Sequence, residues 1–455
     1  MHTKAKMFVA RSSQMKIEIT DNNKGQENTA IFNRSEIADL FPIAGKKIKD
    51  LCEANPNLLI FPYSLEECED LEDDKPIFTI DSTESSEKVR ITTGNVMGFI
   101  GKGDVQLKIK SRFDSGCGDY FLHYMLQKVL SLNIFDLEHS SAQEDLFNFL
   151  LLIFPRFLNK AMRQGLYKEY RSIQHNDANV KGTIDVSQHI VRNIPFLGNI
   201  AYTTREYARD NNMTQLIRHT IEYIKTKKFG LSVLSFDKDT KDNVKSIVTY
   251  TPTYSQSERN AIISKNLRFK AHPYYTDYQP LQRLCLQILR HEQIKYGDCN
   301  NEIRGILFDG AWLWEEYVNT LLKNKGFRHP KNKKRKGCIY LFEDNTGRRY
   351  PDFYKDDFVL DAKYKRLKAY NKVSDVKPND IHQLITYMTR LNATKGGFVF
   401  PLVKKLSTVP WAKLKNAALT LSIFGIEINS VVESYEEFRK VMQQNELDFL
   451  NSLEK

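Results

Sequence analysis

The sequence predicts a multi-domain α+β protein, and three observations support this prediction. The chain has 455 residues, about three times the ~150 residues of a typical domain. Apolar residues make up 41% of it, a proportion typical of globular proteins. The spacing of apolar residues changes along the chain from a period of two, to a helical period, to a mixture of both. We therefore expect a β-rich N-terminal domain at 1–118, a mostly helical middle region at 119–300 and a C-terminal α/β domain at 301–455.

The first two regions differ in the spacing of their apolar residues. In the N-terminal region Val105, Leu107 and Ile109 alternate with polar residues, which is the pattern of a half-buried strand. In the middle region residues such as Phe121 and Met125 recur at intervals of four, which is the pattern of a helix face.

The C-terminal region alternates helices and strands. Ala311, Trp314, Val318 and Leu321 recur at intervals of three and four, which predicts a helix over 310–325. The other predicted elements are strands at 338–342, 348–354 and 358–364, a helix at 381–391, strands at 398–403 and 421–428, and a closing helix from Tyr435. This order predicts an α/β layer.

A hairpin in this region carries the most informative residues. If its loop is even-numbered and centred on Asp356 and Asp357, Asp352 lies opposite Asp361, with Cβ atoms roughly 5 Å apart. Facing like charges destabilise a hairpin unless a cation lies between them. Lys363 follows Asp361 by two residues and therefore projects from the same face.

Two carboxylates beside a lysine suit the hydrolysis of a phosphodiester. The carboxylates of Asp352 and Asp361 would hold Mg²⁺, with Mn²⁺ also possible, and the ion would polarise a phosphoryl oxygen. The ammonium of Lys363 would stabilise developing charge or position a water molecule. The alternative is an ordinary exposed hairpin with scattered charges, because this spacing alone is not specific.

Two neighbouring helices offer further candidates. Glu315 follows Trp314 at the edge of the apolar helix face and would add a third carboxylate, although Glu316 shows that acids here can simply face solvent. Gln383 and Tyr387 are four residues apart, so both project from one side of their helix, where they would bind phosphate or a water molecule. The alternative for this pair is a polar helix face.

The positive charge of the chain is concentrated around the hairpin. The net charge is +11, and residues 323–377 hold 17 Lys or Arg against 7 Asp or Glu. Such runs are usually solvated loops, but flanking a phosphodiester-cleaving site they favour contacts to a nucleic-acid backbone. The predicted DNA-binding residues are Lys331, Lys333, Lys334, Arg335, Lys336, Lys365, Arg366 and Lys368.

Several other chemistries are excluded by missing motifs. The stretch 98–103 has neither the spacing nor the Ser or Thr of a phosphate-binding loop, so we expect this chain to bind no nucleotide itself. The sequence contains no GxSxG, no HExxH and no cysteine pair at zinc spacing. Six scattered cysteines and the absence of a long apolar run predict a reduced, cytoplasmic protein without a membrane span.

The residues of the hairpin and its neighbours resemble the PD-(D/E)XK nuclease superfamily, in the order Glu315, Asp352, Asp361, Lys363. More of the chain resembles the McrC family, the nuclease subunit of McrBC-type modification-dependent restriction systems. This resemblance rests on the hairpin and on three further segments, which are GKGDVQLKIKSRF at 101–113, VKGTI at 180–184 and WEEYV at 314–318. Two departures are the stretch before about Met97, which is the least family-like, and an Asp at position 361 where Glu is commoner.

The resemblance implies a Mg²⁺-dependent DNA endonuclease subunit with a PD-(D/E)XK-type C-terminal domain. It further implies recruitment by an McrB-like AAA+ GTPase oligomer, whose GTPase the N-terminal portion stimulates, and cleavage of double-stranded DNA. Two alternatives remain open. A stand-alone PD-(D/E)XK nuclease would cut without GTP, and a non-catalytic adaptor would activate a AAA+ motor without needing Asp361.

Overall fold

The computed structural model describes most of the chain, and the described residues form two compact units. The described ranges are 15–24, 31–55, 58–62, 75–84, 87–103, 105–114, 119–130, 142–235, 237–268, 272–295, 303–330, 337–367, 369–428 and 431–454. One unit combines residues 1–135 with 299–455, and the other comprises residues 136–298. Both contain helices and strands, which confirms the predicted α+β class. The three-part division at 118 and 300 remains a prediction about the chain.

The described part of the chain contains both strands and helices. The strands are β1 (Met15–Thr20), β2 (Ile31–Asn33), β3 (Leu58–Phe61), β4 (Phe78–Ser82), β5 (Lys88–Thr93), β6 (Val96–Lys102), β7 (Val105–Lys110), β8 (Glu169–Asp177), β9 (Thr183–Ile184), β10 (Ile200–Ala208), β11 (Arg304–Asp309), β12 (Ile339–Tyr340), β13 (Arg348–Arg349), β14 (Phe353–Lys355), β15 (Phe358–Ala362), β16 (Lys395–Leu402), β17 (Trp411–Lys413) and β18 (Thr420–Glu427). The helices are α1 (Ile48–Ala54), α2 (Tyr120–Leu130), α3 (Ala142–Met162), α4 (Val186–Arg192), α5 (Asn212–Lys225), α6 (Gly230–Leu234), α7 (Lys238–Tyr250), α8 (Arg259–Lys265), α9 (Tyr278–Lys295), α10 (Gly310–Leu322), α11 (Pro378–Leu391) and α12 (Tyr435–Ser452).

The N-terminal part of the discontinuous unit is β-rich, as predicted. Strands β2, β5 and β4 form one sheet, and a five-stranded sheet has the order β1-β7-β6-β11-β3. The alternation in β7 is confirmed, because Val105, Leu107 and Ile109 are all buried in one core. This core includes Leu307 from β11, so residues from both sequence segments of the discontinuous unit form it.

Strand β11 lies between β6 and β3, where the sequence analysis expected the start of a separate domain. It runs antiparallel to β6 and parallel to β3. Gly98 in β6 makes the close approach possible: its φ is +128°, and a Cβ atom there would lie 2.1 Å from the carbonyl oxygen of Ile306. β11 leads directly into α10, whose first turn is capped by the Asp309 carboxylate.

The C-terminal sheet has the order β14-β15-β16-β18-β17. Strands β15, β16 and β18 are parallel, while β14 and β17 are antiparallel edge strands. The predicted order of helices and strands is therefore confirmed in outline. The predicted strand 348–354 divides into β13 and β14, with Pro351 between them, because proline supplies no N–H to a ladder.

Two glycines that precede the predicted strand 398–403 belong to strand β16. This strand begins at Lys395, three residues before the predicted start at Phe398, and therefore includes Gly396 and Gly397. A Cβ atom on Gly396 would lie 2.3 Å from the sulfur of Met388. Glycine therefore lets helix α11 pack directly onto the strand, and this packing holds α11 beside β15.

Helix α10 is held in place by a buried carboxylate from the closing helix. The hydroxyls of Tyr124 and Tyr317 each donate a 2.8 Å hydrogen bond to Glu446 Oε1. The other oxygen of Glu446 lies 2.8 Å from Lys128 Nζ. These contacts join α2, α10 and α12 through one satisfied polar cluster.

The second unit is mostly helical, as predicted for the middle region. It contains helices α3 to α9 and a three-stranded sheet of order β8-β10-β9, and α4 contacts β10. Asn211 caps α5 by accepting hydrogen bonds from the backbone N–H groups of Met213 and Thr214. None of the described helices combines the length and the apolar character needed to cross a lipid bilayer.

Candidate functional site

The hairpin formed by β14 and β15 brings two aspartates side by side. Phe353 pairs with Leu360, so the next position outward places Asp352 beside Asp361. The turn is tight, and Asp356 adopts a positive φ of 44° in it. The register predicted from the even-numbered loop is confirmed.

Burial raises the pKa of both carboxyls, and repulsion by Asp352 adds to the effect at Asp361. Asp361 is only 1% exposed, and its pKa is raised to about 8, first by burial and then by the charge of Asp352. Burial also raises the pKa of Asp352, against the opposing effects of Lys363 and of the Ala362 N–H. That N–H donates a 2.7 Å hydrogen bond to Asp352 Oδ2. Without a bound cation, the pair therefore tends to keep a proton.

Strand β15 of the hairpin is buried on both of its faces. Both Val359 and Leu360 are fully buried, although they point to opposite faces of β15. The strand lies inside a five-stranded sheet, and helices α10 and α11 both contact it. The aspartates therefore lie in a largely desolvated place at one end of the hairpin, where electrostatic interactions are strong.

Lys363 projects to the same side as Asp361, as predicted. Its Nζ lies 2.7 Å from Asp361 Oδ2 and 3.8 Å from Asp380 Oδ1. Burial alone would lower the pKa of Lys363, but the Asp361 and Asp352 carboxylates outweigh it and raise the pKa above its usual value. The lysine therefore stays charged within the pocket.

The two predicted residues of α11 orient this lysine. Gln383 Oε1 accepts a 3.1 Å hydrogen bond from Lys363 Nζ, and Gln383 Nε2 donates a 2.8 Å hydrogen bond to the Tyr387 hydroxyl. Burial raises the pKa of Tyr387 to about 12, so this hydroxyl stays protonated. In the structure Gln383 contacts the Lys363 ammonium and Tyr387 contacts Gln383, so these two hydrogen bonds fix the position of the positive charge.

Glu315 reaches the hairpin through a histidine. Glu315 Oε1 lies 3.8 Å from His329 Nδ1, and Glu316 Oε1 lies 3.6 Å from His329 Nε2. The same Nδ1 forms a 2.8 Å hydrogen bond with the backbone carbonyl of Asp352. The pKa of His329 is lowered by burial but raised by Glu316 and by that carbonyl, and the net direction is upward.

Sequence reasoning missed His329 and Asp380. His329 gained its place because the backbone of Arg328 pairs with that of Tyr354, which extends the sheet beside β14. Asp380 lies in the first turn of α11 and is 8% exposed. Neither residue belongs to a local motif, so only the tertiary pairing could have identified them.

Most of the predicted DNA-binding residues lie outside the described residues, namely Lys331, Lys333, Lys334, Arg335, Lys336 and Lys368. Of the two that are described, Lys365 Nζ lies 2.8 Å and 3.0 Å from the two oxygens of Asp380. The guanidinium of Arg366 lies 5.3 Å from the ring centroid of Phe113. Both cations are therefore anchored beside the hairpin.

The carboxylate pair meets the chemical requirements of a hard divalent cation. Oδ1 of Asp361 is buried, and among the described residues no hydrogen-bond donor reaches it. Such an oxygen is costly unless a cation or water satisfies it. No group of three or more His, Cys, Asp or Glu side chains arranged to hold a metal occurs in the described ranges. A cation here would therefore rest on the two aspartates and on water, as Mg²⁺ commonly does.

We expect the metal-free protein to lose stability as the pH rises from about 4 to about 8. The pKa of Asp361 is about 8 in the folded state against an ordinary 3.8, so the folded state holds an extra proton in this window. Stability then falls with pH, by at most about 1.4 kcal/mol per pH unit. Thermal unfolding in EDTA, compared between the wild type and Asp361→Asn, isolates this contribution from that of His329. A difference between the two proteins that does not change with pH would contradict it.

Comparisons with known proteins match this chain to a protein family and show its similarity to solved complexes. The family model described as McrBC 5-methylcytosine restriction system component matches residues 91–401. The chain is similar to one chain of a refined half-complex from a tetradecameric assembly of Thermococcus gammatolerans McrB AAA+ hexamers with bound McrC. That match has 14% identity and a TM-score of 0.47, and it covers 94% of this chain and 100% of the other.

A second similar structure is the cryo-EM structure of the Thermococcus gammatolerans McrBC complex. It has 14% identity and a TM-score of 0.29, covering 68% of this chain and 87% of the other. No curated protein matches the chain. The range matched by the family model contains the hairpin aspartates, Lys363 and the helix that carries Glu315.

Proposed function

The chain belongs to the McrBC 5-methylcytosine restriction system component family, and we propose on this premise that it is the DNA-cleaving subunit of such a system. The observation that carries the proposal is the close pair Asp352 and Asp361 with the Lys363 ammonium 2.7 Å from the second carboxylate. A structural ion pair does not need a second, repelling carboxylate. A site that holds a cation for phosphodiester hydrolysis does need a second carboxylate beside the first.

We assign the C-terminal part of the chain to the PD-(D/E)XK type of nuclease. The acid pair and the lysine come from the adjoining ends of two antiparallel strands, and helices α10 and α11 contact β15, which carries Asp361 and leads into Lys363. Along the chain the order is Glu315, Asp352, Asp361 and Lys363, which is the order that the superfamily resemblance requires. Glu315 serves as an auxiliary acid that acts through His329.

Asp352 and Asp361 would hold Mg²⁺, or alternatively Mn²⁺. When bound, the ion polarises the scissile phosphoryl oxygen and favours ionisation of a water molecule. Asp361 releases its proton to bind the ion. Lys363, held by Gln383, donates hydrogen bonds to the phosphate or to the attacking water and stabilises the charge that develops.

Double-stranded DNA is the proposed substrate. Residues 323–377 carry most of the net positive charge of the chain and enclose the hairpin in sequence. Cations in that position neutralise backbone phosphates and hold the duplex without reading its sequence. Lys365 contributes to DNA binding when its ammonium leaves Asp380 and contacts a backbone phosphate.

An McrB-like AAA+ GTPase oligomer is the proposed partner. The family premise points to a system of several components, and this sequence has no phosphate-binding loop of its own. We propose that the motor supplies nucleotide hydrolysis and that this chain supplies cleavage and stimulates the GTPase. The β-rich part of the discontinuous unit is the proposed docking surface.

The experiment combines the purified full chain with a purified McrB-like AAA+ GTPase, the proposed partner. Cleavage of duplex DNA containing 5-methylcytosine is measured with Mg²⁺, with and without GTP, and GTP hydrolysis is measured in parallel. We expect cleavage only when the chain, the GTPase, Mg²⁺ and GTP are all present, because the motor must deliver DNA to the site. We also expect GTP hydrolysis to increase when the chain is added.

The other outcomes separate the rival functions. Cleavage by the chain alone, without GTP, would instead support a stand-alone nuclease. Stimulated GTP hydrolysis with no cleavage under any metal would support a non-catalytic adaptor. Unmodified DNA of the same sequence is the matched substrate control.

A further inference from the structure

A stripe of aromatic side chains crosses the second unit, and the proposed function uses none of them. Tyr170 on β8 and Tyr207 on β10 are cross-strand partners with ring centroids 4.8 Å apart, and they are 59% and 47% exposed. The Tyr207 hydroxyl is hydrogen bonded to that of Tyr275. His272 lies 4.7 Å from the Tyr275 ring, and the neighbouring Tyr274 is 80% exposed. We call these five residues the aromatic stripe.

Cations lie directly over the two strand tyrosines. The guanidinium of Arg205 is 5.0 Å from the ring centroid of Tyr170. Lys168 Nζ is 5.7 Å from the ring centroid of Tyr207. Arg205 is exposed and Lys168 half-buried, so both charges remain available to a polyanion.

Further charge lines the cavity at the other end of the stripe. Lys265 and Arg268 line a small cavity together with Tyr275 and the acid Glu169. These strands carry two other acids. Glu206 alternates to the opposite face of β10 from Tyr207 and contacts His175 there, and Asp177 lies at the far end of β8, where it accepts a hydrogen bond from Tyr202. Positive charge therefore exceeds negative charge along the aromatic stripe.

A purely structural role explains only part of this arrangement. A cross-strand aromatic pair stabilises a sheet, which accounts for the contact between Tyr170 and Tyr207. It does not account for the 80% exposed ring of Tyr274, or for cations over the exposed rings of Tyr170 and Tyr207. The solvated face of an antiparallel sheet is normally polar. Exposed aromatic rings interleaved with cations are instead typical of surfaces that bind single nucleic-acid strands.

We propose that the aromatic stripe binds single-stranded DNA. Its bases pack on the rings of Tyr170, Tyr207 and Tyr274, while Lys168 and Arg205 turn towards the phosphates. A duplex keeps its bases stacked inside and offers no ring face to these side chains, so a single strand is the better fit. This inference goes beyond the proposed cleavage site, since no residue of the aromatic stripe belongs to it.

The test measures binding of the full chain to a fluorescein-labelled oligo-dT of about 15 nucleotides, a length matched to the site sizes of such surfaces. EDTA is present so that no cleavage occurs. The double variant Tyr170→Ala/Tyr207→Ala is expected to raise Kd about ten-fold or more, the effect of losing base stacking. Tyr170→Phe/Tyr207→Phe keeps both rings and is expected to bind like the wild type. Trp411→Ala removes an exposed aromatic ring on β17, in the other unit, and serves as the matched control.

Two results would overturn the proposal. One is an unchanged Kd for the double alanine variant. The other is an equal loss of affinity for a duplex, which would mean that the rings do not stack on bases. If the double alanine variant unfolds at a lower temperature than the wild type, Arg205→Gln provides the test, since it keeps both rings. The slope of log Kd against log salt concentration should fall by about 0.7 in this variant. An unchanged slope would refute the contact between Arg205 and a phosphate. Binding is measured without metal, so the Kd values test this proposal even if the chain does not cleave DNA.

Discussion

Asp361→Asn is expected to reduce DNA cleavage about 100-fold or more, the scale of losing a group that stabilises transition-state charge. Asparagine keeps the shape of the side chain but loses the negative charge that would hold the cation. The measurement is the rate of duplex cleavage with the GTPase partner, GTP and Mg²⁺. Near-normal cutting by this variant would remove Asp361 from the site.

The same substitution should stabilise the metal-free protein at about pH 8. It removes a buried carboxylate whose pKa of about 8 already reflects burial and repulsion by Asp352. We expect a gain of at least about 1 kcal/mol. Loss of activity with gain of stability distinguishes a functional carboxylate from a structural one, whose loss would cost both.

Asp356→Asn is the matched control. Asp356 lies in the turn of the same hairpin at a φ of 44°, a conformation that asparagine adopts readily. Its side chain is exposed. Cleavage and stability should both stay near the values of the wild type, so a comparable loss in this variant would show that the hairpin tolerates no substitution.

Lys363→Met is expected to lower the cleavage rate about 100-fold or more while leaving DNA affinity within a few-fold of the wild type. Methionine retains the length and apolar stem of lysine but provides no charge to the phosphate. It also removes the cation that opposes protonation of Asp361. The metal-free variant should therefore lose stability with rising pH more steeply than the wild type.

Lys365→Met separates catalysis from binding. Lys365 shares the partner Asp380 with Lys363 but is proposed to contact only the DNA backbone. We expect weaker DNA binding with a smaller salt dependence, and a single-turnover cleavage rate that stays close to normal once the variant is saturated with DNA. If Lys363→Met and Lys365→Met give the same pattern, Lys363 is a backbone contact and has no role in the chemistry.

The local geometry of the hairpin was predictable from sequence. A loop length and a period of two fix the register of antiparallel strands, so the pairing of Asp352 with Asp361 and the side of Lys363 followed from counting residues. The helix through Gln383 and Tyr387 followed from its 3.6-residue period in the same way. The function of these residues did not follow from the register, because it depends on charge and burial together.

What could not be predicted depends on contacts distant in sequence. His329 and Asp380 lie in no motif, and burial of both faces of β15 depends on which helices cover the sheet. Gly396 lies inside a strand although a glycine pair usually marks a turn. Only its distance to Met388 explains it as a packing position inside a strand.

Strand β11 has a consequence for synthesis of the chain. It is inserted between β6 and β3 and pairs Arg304 with Gly101, so about two hundred residues separate the partners. The ribosome has completed every residue of the second unit before it reaches this strand. The sheet of order β1-β7-β6-β11-β3 therefore cannot be completed during translation until Asp309 has emerged. Until then the unpaired edge of β6 must be kept from pairing with other chains.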